Sequence, residues 1–148
     1  MSTSKTTIES YNKYTVECAE KMRGGKNTKH TYLEKPAMYR KIPNLKGKEV
    51  LCIGCGTGEE CEHIKSLGAK RIVGIDISKE RINFLKKILP SLEFHTMDME
   101  KLNFSDNSFD FIYSSLALHY SKDWTKIFSK VSKILKKNGT FLFSTHHP

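Results

Sequence analysis

No stretch of this sequence approaches the roughly 20 consecutive apolar residues that a membrane-spanning helix needs. Its first residues, MSTSKTTIESYNKYTVEC, lack the apolar core of a secretion signal. Cysteine is scarce: the chain has four, too few for a disulfide scaffold in 148 residues, so a reduced, cytoplasmic setting without a membrane partner is expected. Acids are also in deficit, with 25 Lys and Arg against 16 Asp and Glu and a formal net charge of +9. The imbalance is local. Residues 1–50 carry 11 basic and 5 acidic side chains, residues 51–100 carry 7 and 8, and residues 101–148 carry 7 and 3. A basic surface attracts nucleic acid. No aromatic-interleaved basic motif accompanies the charge here, so solvated helix faces are the preferred reading and nucleic acid is the less favoured partner. The sequence has no repeats and no low-complexity segments.

What is present fits one globular domain, with 38% apolar and 28% charged residues. Residues 1–47 read as a helical preface that caps the domain. Tyr14, Cys18 and Met22 have weak helical spacing, Gly24-Gly25 breaks it, and a second short helix is expected over residues 30–39. From residue 48 a regular alternation begins. Short apolar runs at residues 49–53, 71–75, 92–96, 109–114 and 140–144 read as strands. Between them, residues 59–67, a segment capped by Ser78 and ending before Pro90, and residues 124–135 have helical spacing. The last is the clearest, with Trp124, Ile127, Phe128, Val131, Ile134 and Leu135 on one face and lysines on the other. Strand–helix alternation predicts an α/β fold, a doubly wound and mostly parallel sheet over residues 48–148.

In such a sheet ligands bind at the carboxyl ends of the strands. The first strand ends in VLCIGCGTGEE, residues 50–60. Cys52 and Cys55 have CxxC spacing, but Cys52 lies inside the expected strand and no histidine-rich cluster completes a zinc site, so a structural reading is preferred and no metal is expected. Gly54, Gly56 and Gly58 suit a tight turn into a helix N-terminus that greets a polar ligand. The spacing is GxGxG. A dinucleotide fingerprint needs a glycine at 59, where Glu59 stands beside Glu60; these acids repel a pyrophosphate and tolerate a cationic or zwitterionic ligand. A phosphate-binding Gly-Lys-Ser/Thr is absent. Asp76 follows the second strand, placed to accept from ribose hydroxyls. Asp98 follows the third, placed to accept from an adenine amino group, with the Met99 N–H donating to the ring.

These segments together resemble class I S-adenosylmethionine-dependent methyltransferases of the type 11 kind. VLCIGCGTG resembles the family's first motif, GIDIS its second, MDMEKLNFSDNSFDFIYSSLALHY its adenine segment and fourth strand, and LKKNGTFLFSTHHP its fifth-strand segment. The resemblance covers residues 48–148. It implies S-adenosylmethionine as cofactor and S-adenosylhomocysteine as product. By position it implies cofactor contacts from Gly54, Cys55, Gly56 and Gly58, from Asp76 and Ile77, from Asp98 and Met99, and from Ser114 and Ser115. His119, after the fourth strand, is the candidate general base. The N-terminal tyrosines Tyr11, Tyr14, Tyr32 and Tyr39 precede the sheet as a lid would, with packing the preferred role.

Two departures stand out. The family has an acid where this chain has Cys52, so the cofactor's ammonium group is left to backbone carbonyls or Glu59, and weaker affinity is expected. The family also continues past the fifth strand, so a truncated sheet with an open fifth-strand edge is expected, which a homo-oligomer would cover. The expected acceptor is a small molecule. The alternatives are a nucleoside-binding module without turnover, and an NAD enzyme, which Glu59 disfavours.

Overall fold

The computed structural model describes residues 5–15, 17, 19 and 29–146. Five strands form one all-parallel sheet: β1 (Glu49–Ile53), β2 (Arg71–Asp76), β3 (Glu93–Thr96), β4 (Phe109–Ser114) and β5 (Leu135–Phe143), in the order β3-β2-β1-β4-β5. The chain winds outward from β1 through β2 to β3. It then crosses back to lay β4 on the other side of β1, so the winding reverses between β1 and β4 and opens a crevice at their carboxyl ends.

Both faces of the sheet are covered, which is why its strands read as continuous apolar runs. In β1, Val50 and Cys52 face one side, with Cys61 and Ile64 of α3 (Glu59–Ser66) and Ile82 and Leu85 of α4 (Lys79–Ile88). Leu51 and Ile53 face the other, with Ile127, Val131 and Ile134 of α5 (Trp124–Ile134). Each fully buried aliphatic side chain here contributes about 1.5–3 kcal/mol. Caps fix where the helices start: the Ser78 hydroxyl accepts from the Arg81 N–H, and the Asp123 carboxylate from the Lys126 N–H.

The N-terminal segment contributes α1 (Lys5–Lys13) and, after a π-helical turn at His30–Glu34, the short helix α2 (Lys35–Tyr39). Pro36 sits at the start of α2, where its missing N–H costs nothing. Tyr39 stacks on His63 of α3 with ring centroids 3.8 Å apart. The expected break at Gly24-Gly25, Cys18 and Met22 lie outside the described residues.

One boundary differs from the sequence expectation. The last helix stops at Ile134 because Leu135 already pairs with Phe109 in the sheet. Asn138-Gly139, read as the helix-to-strand turn, instead sits in an irregularity inside β5, with Asn138 at φ 65°, before Thr140 rejoins opposite Phe111.

Candidate active site

The loop after β1 is pinned before any ligand arrives. The Cys55 N–H donates to the Ile75 carbonyl at 2.9 Å, tying the loop to β2. Gly54 has φ 69°, and a Cβ there would come within 2.5 Å of the Ala117 Cβ, so close approach of the segment after β4 demands glycine. Gly56 has φ 52° and a different reason. A Cβ there would meet nothing nearer than Arg81 Nη1 at 3.8 Å, so protein leaves the space above it open. Gly58 is the N-cap of α3.

A cleft of about 220 Å³, open to solvent, lies over this loop. Gly54, Cys55 and Gly56 form its floor, Asp76 and Ile77 one wall, Asp98 and Met99 the next, and Ser115 the opposite end. Gly58, Ser114 and His119 are not among its lining residues. Ser114 is fully buried and donates its hydroxyl to the Ile53 carbonyl at 3.1 Å, stitching β4 to β1. His119 stacks on His146 at 4.1 Å; burial, then the neighbouring His146, lower its pKa and keep the ring neutral near pH 7.

Asp76 is the hub of the nucleoside wall. Its Oδ2 accepts from the Gly56 N–H at 3.0 Å and its Oδ1 from the Ser78 N–H at 2.9 Å, with Arg81 Nη1 3.8 Å from Oδ2. Burial pushes its pKa up, while Arg81 and the backbone donors pull it back. Asp98 begins a 3₁₀ turn, Met99–Lys101, and accepts from the Glu100 N–H at 2.9 Å.

Sequence reasoning left out several lining residues. Arg81 lies on the first turn of α4 and reads as one more solvated base, yet its guanidinium sits 4.1 Å from the Tyr11 ring centroid over the cleft. Tyr11 meets Tyr120 edge to face at 5.6 Å, and both line the cleft. Leu116, in the left-handed region at φ 47°, also lines the cleft; this strain is held by hydrogen bonds from its N–H to Ser144. His30 and Glu60 line the far end. Glu59, expected along with backbone carbonyls as a partner for the ligand ammonium, is paired with Lys35 and stands outside the lining.

Cys52, Cys55 and Cys61 are buried free thiols. Among the described residues no group of three or more His, Cys, Asp and Glu side chains is arranged to hold a metal ion. The donor set suits a nucleoside with a polar tail: an open glycine cradle, a buried carboxylate facing where a diol would sit, apolar Ile77 and Met99 to flank a purine, and charged groups at the far end.

Residues 51–143 match the family model of a methyltransferase domain. The chain is 33% identical over 140 residues to an uncharacterised protein of Haemophilus influenzae, covering 89% of this chain and 55% of that protein. It is 34% identical over 128 residues to phosphoethanolamine N-methyltransferase 1 of Arabidopsis thaliana, covering 83% of this chain and 25% of that enzyme. Among solved structures, an S-adenosylmethionine-dependent methyltransferase of Mesorhizobium loti superposes with a TM-score of 0.74 at 34% identity, covering 77% of this chain and 53% of that one. The chain thus spans about half the length, or less, of these relatives. Its cofactor is S-adenosylmethionine, and the chain belongs to the methyltransferase-domain family of class I S-adenosylmethionine-dependent methyltransferases.

Proposed function

We propose that the chain transfers a methyl group from S-adenosylmethionine to a small-molecule acceptor. The observation that carries the reading is convergence: the glycine loop after β1, Asp76 at the end of β2, Asp98 after β3 and Ser115 after β4 line one cleft at the reversal of winding. The bound cofactor supplies an electrophilic methyl on a sulfonium. The chain's own residues hold and align. Asp76 accepts from the ribose hydroxyls. Asp98 and the Met99 N–H hold the purine edge between Ile77 and Met99. Gly54, Cys55 and Gly56 present backbone to the region around the sulfur, and Ser115 closes the opposite side. Gly58 and Ser114 act one step back, by capping α3 and stitching the strands that present the loop. Aligning the acceptor for in-line attack supplies much of the acceleration.

The small-molecule reading is supported by Tyr11 and Tyr120, which meet edge to face at 5.6 Å and line the cleft. In this reading residues 1–47 cap the domain formed by residues 48–148. The relatives' names carry different acceptors, phosphoethanolamine in one and malonyl-[acyl-carrier protein] in another, so likeness alone selects none. His119 is proposed as proton acceptor for an acceptor that must lose a proton; its neutral ring suits the task. Retained turnover in H119A would remove it. A second copy is proposed to cover the outer edge of β5, where Phe128 and Phe143 are partly exposed. The deciding experiment is a calorimetric titration with S-adenosylmethionine and S-adenosylhomocysteine. Saturable one-to-one binding is expected, and no binding of either overturns the reading.

A further inference from the structure

The ligand's amino-acid end carries an ammonium group, and desolvating it requires a carboxylate partner. The cleft presents three acids. Asp76 and Asp98 stand at the ends of β2 and β3, at the nucleoside side. The third, Glu60, stands on the first turn of α3, at the other end of the glycine loop. Cys52 is a buried residue of β1 and does not line the cleft. Position 52 of β1 carries no acid, and Glu60 of α3 is the acid at this end of the cleft.

Glu60 is held rather than loose. His30 Nε2 lies 3.4 Å and Lys35 Nζ 3.6 Å from the same oxygen, Oε1. Lys35 also pairs with Glu59. His30 Nδ1 lies 2.9 Å from Glu34, whose other oxygen accepts from Ser115 and Ser144. Among the described residues, His30 and Lys35 are shared by Glu34, Glu59 and Glu60, and of these three acids Glu60 is the one that lines the cleft.

We infer that Glu60, positioned by His30 and Lys35 from the N-terminal segment, is the carboxylate that receives the ammonium group of S-adenosylmethionine, in place of an acid at position 52. This rests on the proposed cofactor cleft. The consequence is selectivity: Glu60 distinguishes ligands that carry the amino-acid tail from those that end at the thioether.

The test is calorimetry with two ligands, S-adenosylhomocysteine and 5′-methylthioadenosine, which lacks the tail. In E60Q the affinity for S-adenosylhomocysteine should fall about tenfold to hundredfold, as for loss of a charge-assisted contact. The affinity for 5′-methylthioadenosine should stay within about twofold. In C52D/E60Q the first affinity should recover in part. An equal loss for both ligands in E60Q, or no loss for either, overturns the inference. If circular dichroism shows that E60Q does not fold, the wild-type chain decides: its affinity for the deaminated analogue of S-adenosylhomocysteine should be at least about tenfold weaker, and equal affinities overturn the inference. A wild-type chain that binds neither nucleoside would instead sink the cleft itself.

Discussion

Asp76 shows how one side chain serves fold and ligand together. Both its oxygens already hold backbone donors, one in the glycine loop and one at the start of α4. A carboxylate oxygen accepts more than one hydrogen bond, so it can keep these and still take a diol. Asn has one acceptor oxygen and must turn its NH₂ toward one of those donors. D76N should therefore weaken S-adenosylhomocysteine binding at least about tenfold, from loss of a charged acceptor worth about 1.5–3 kcal/mol, and calorimetry would measure it. Asp76 was legible in the sequence because its place, at the end of a short apolar run, is a local signal. Arg81 and His30 were not. Each reads locally as an ordinary polar residue on a helix face. What makes them site residues is the tertiary meeting of segments far apart in the chain, His30 with Glu60 and Arg81 with Tyr11, which no window of sequence contains.

At the scale of elements, the docking of residues 29–39 depends on the charge of His30. Hydrogen bonds to Glu34 and then Glu60 outweigh burial and raise its pKa from 6.5 to about 9. The contribution is whole below pH 6.5 and is lost as pH rises through about 9. Glu34 and Glu60 run the other way. Burial opposes their ionisation, but the His30 contact holds both below 4.5, so their contribution is present above 4.5 and fades on acidification. The thermal midpoint should fall between pH 6.5 and 9, and H30Q should flatten that limb in a melt series; an unchanged limb would count against the network. Gly74, inside β2, gives a second test. A Cβ there would lie 2.7 Å from the Phe94 ring and 3.1 Å from Cys55 Sγ. G74A should cost about 1–3 kcal/mol by overpacking, read from urea denaturation. The strands and the long helices were legible from period and caps. The early end of α5 was not, because Leu135 obeys the sheet, through its pairing with Phe109, against its own helical spacing.

Over the whole molecule, charge separates by end. At the amino ends of the strands Lys136 Nζ reaches Glu49 at 2.6 Å and Asp110 at 3.1 Å, a partly exposed network of modest worth. At the carboxyl ends His30, Glu60, Asp76, Arg81 and Asp98 line the cleft. A ligand that bridges the glycine loop, β2, β3 and the N-terminal segment should stabilise them as one unit. At a hundred times its dissociation constant, S-adenosylhomocysteine adds about 2.7 kcal/mol, or roughly 8 °C at about 3 °C per kcal/mol for a chain of this size. Differential scanning fluorimetry would show it, and a flat midpoint across the titration would contradict the cleft.

The helix that brings Tyr11 to the cleft is held lightly. α1 has nine residues, too short to persist alone in water, and none of them is fully buried. Among the described residues, its ties include the Ser78 hydroxyl donating to Asn12 at 2.6 Å, the Arg81–Tyr11 stack and the Tyr11–Tyr120 edge. Such an element opens at small free-energy cost and far faster than the domain unfolds. The clock for ligand departure is then set at this helix rather than in the floor of the cleft. Y11A should shorten the residence time of S-adenosylhomocysteine several-fold while changing its association rate little, a split that stopped-flow fluorescence resolves.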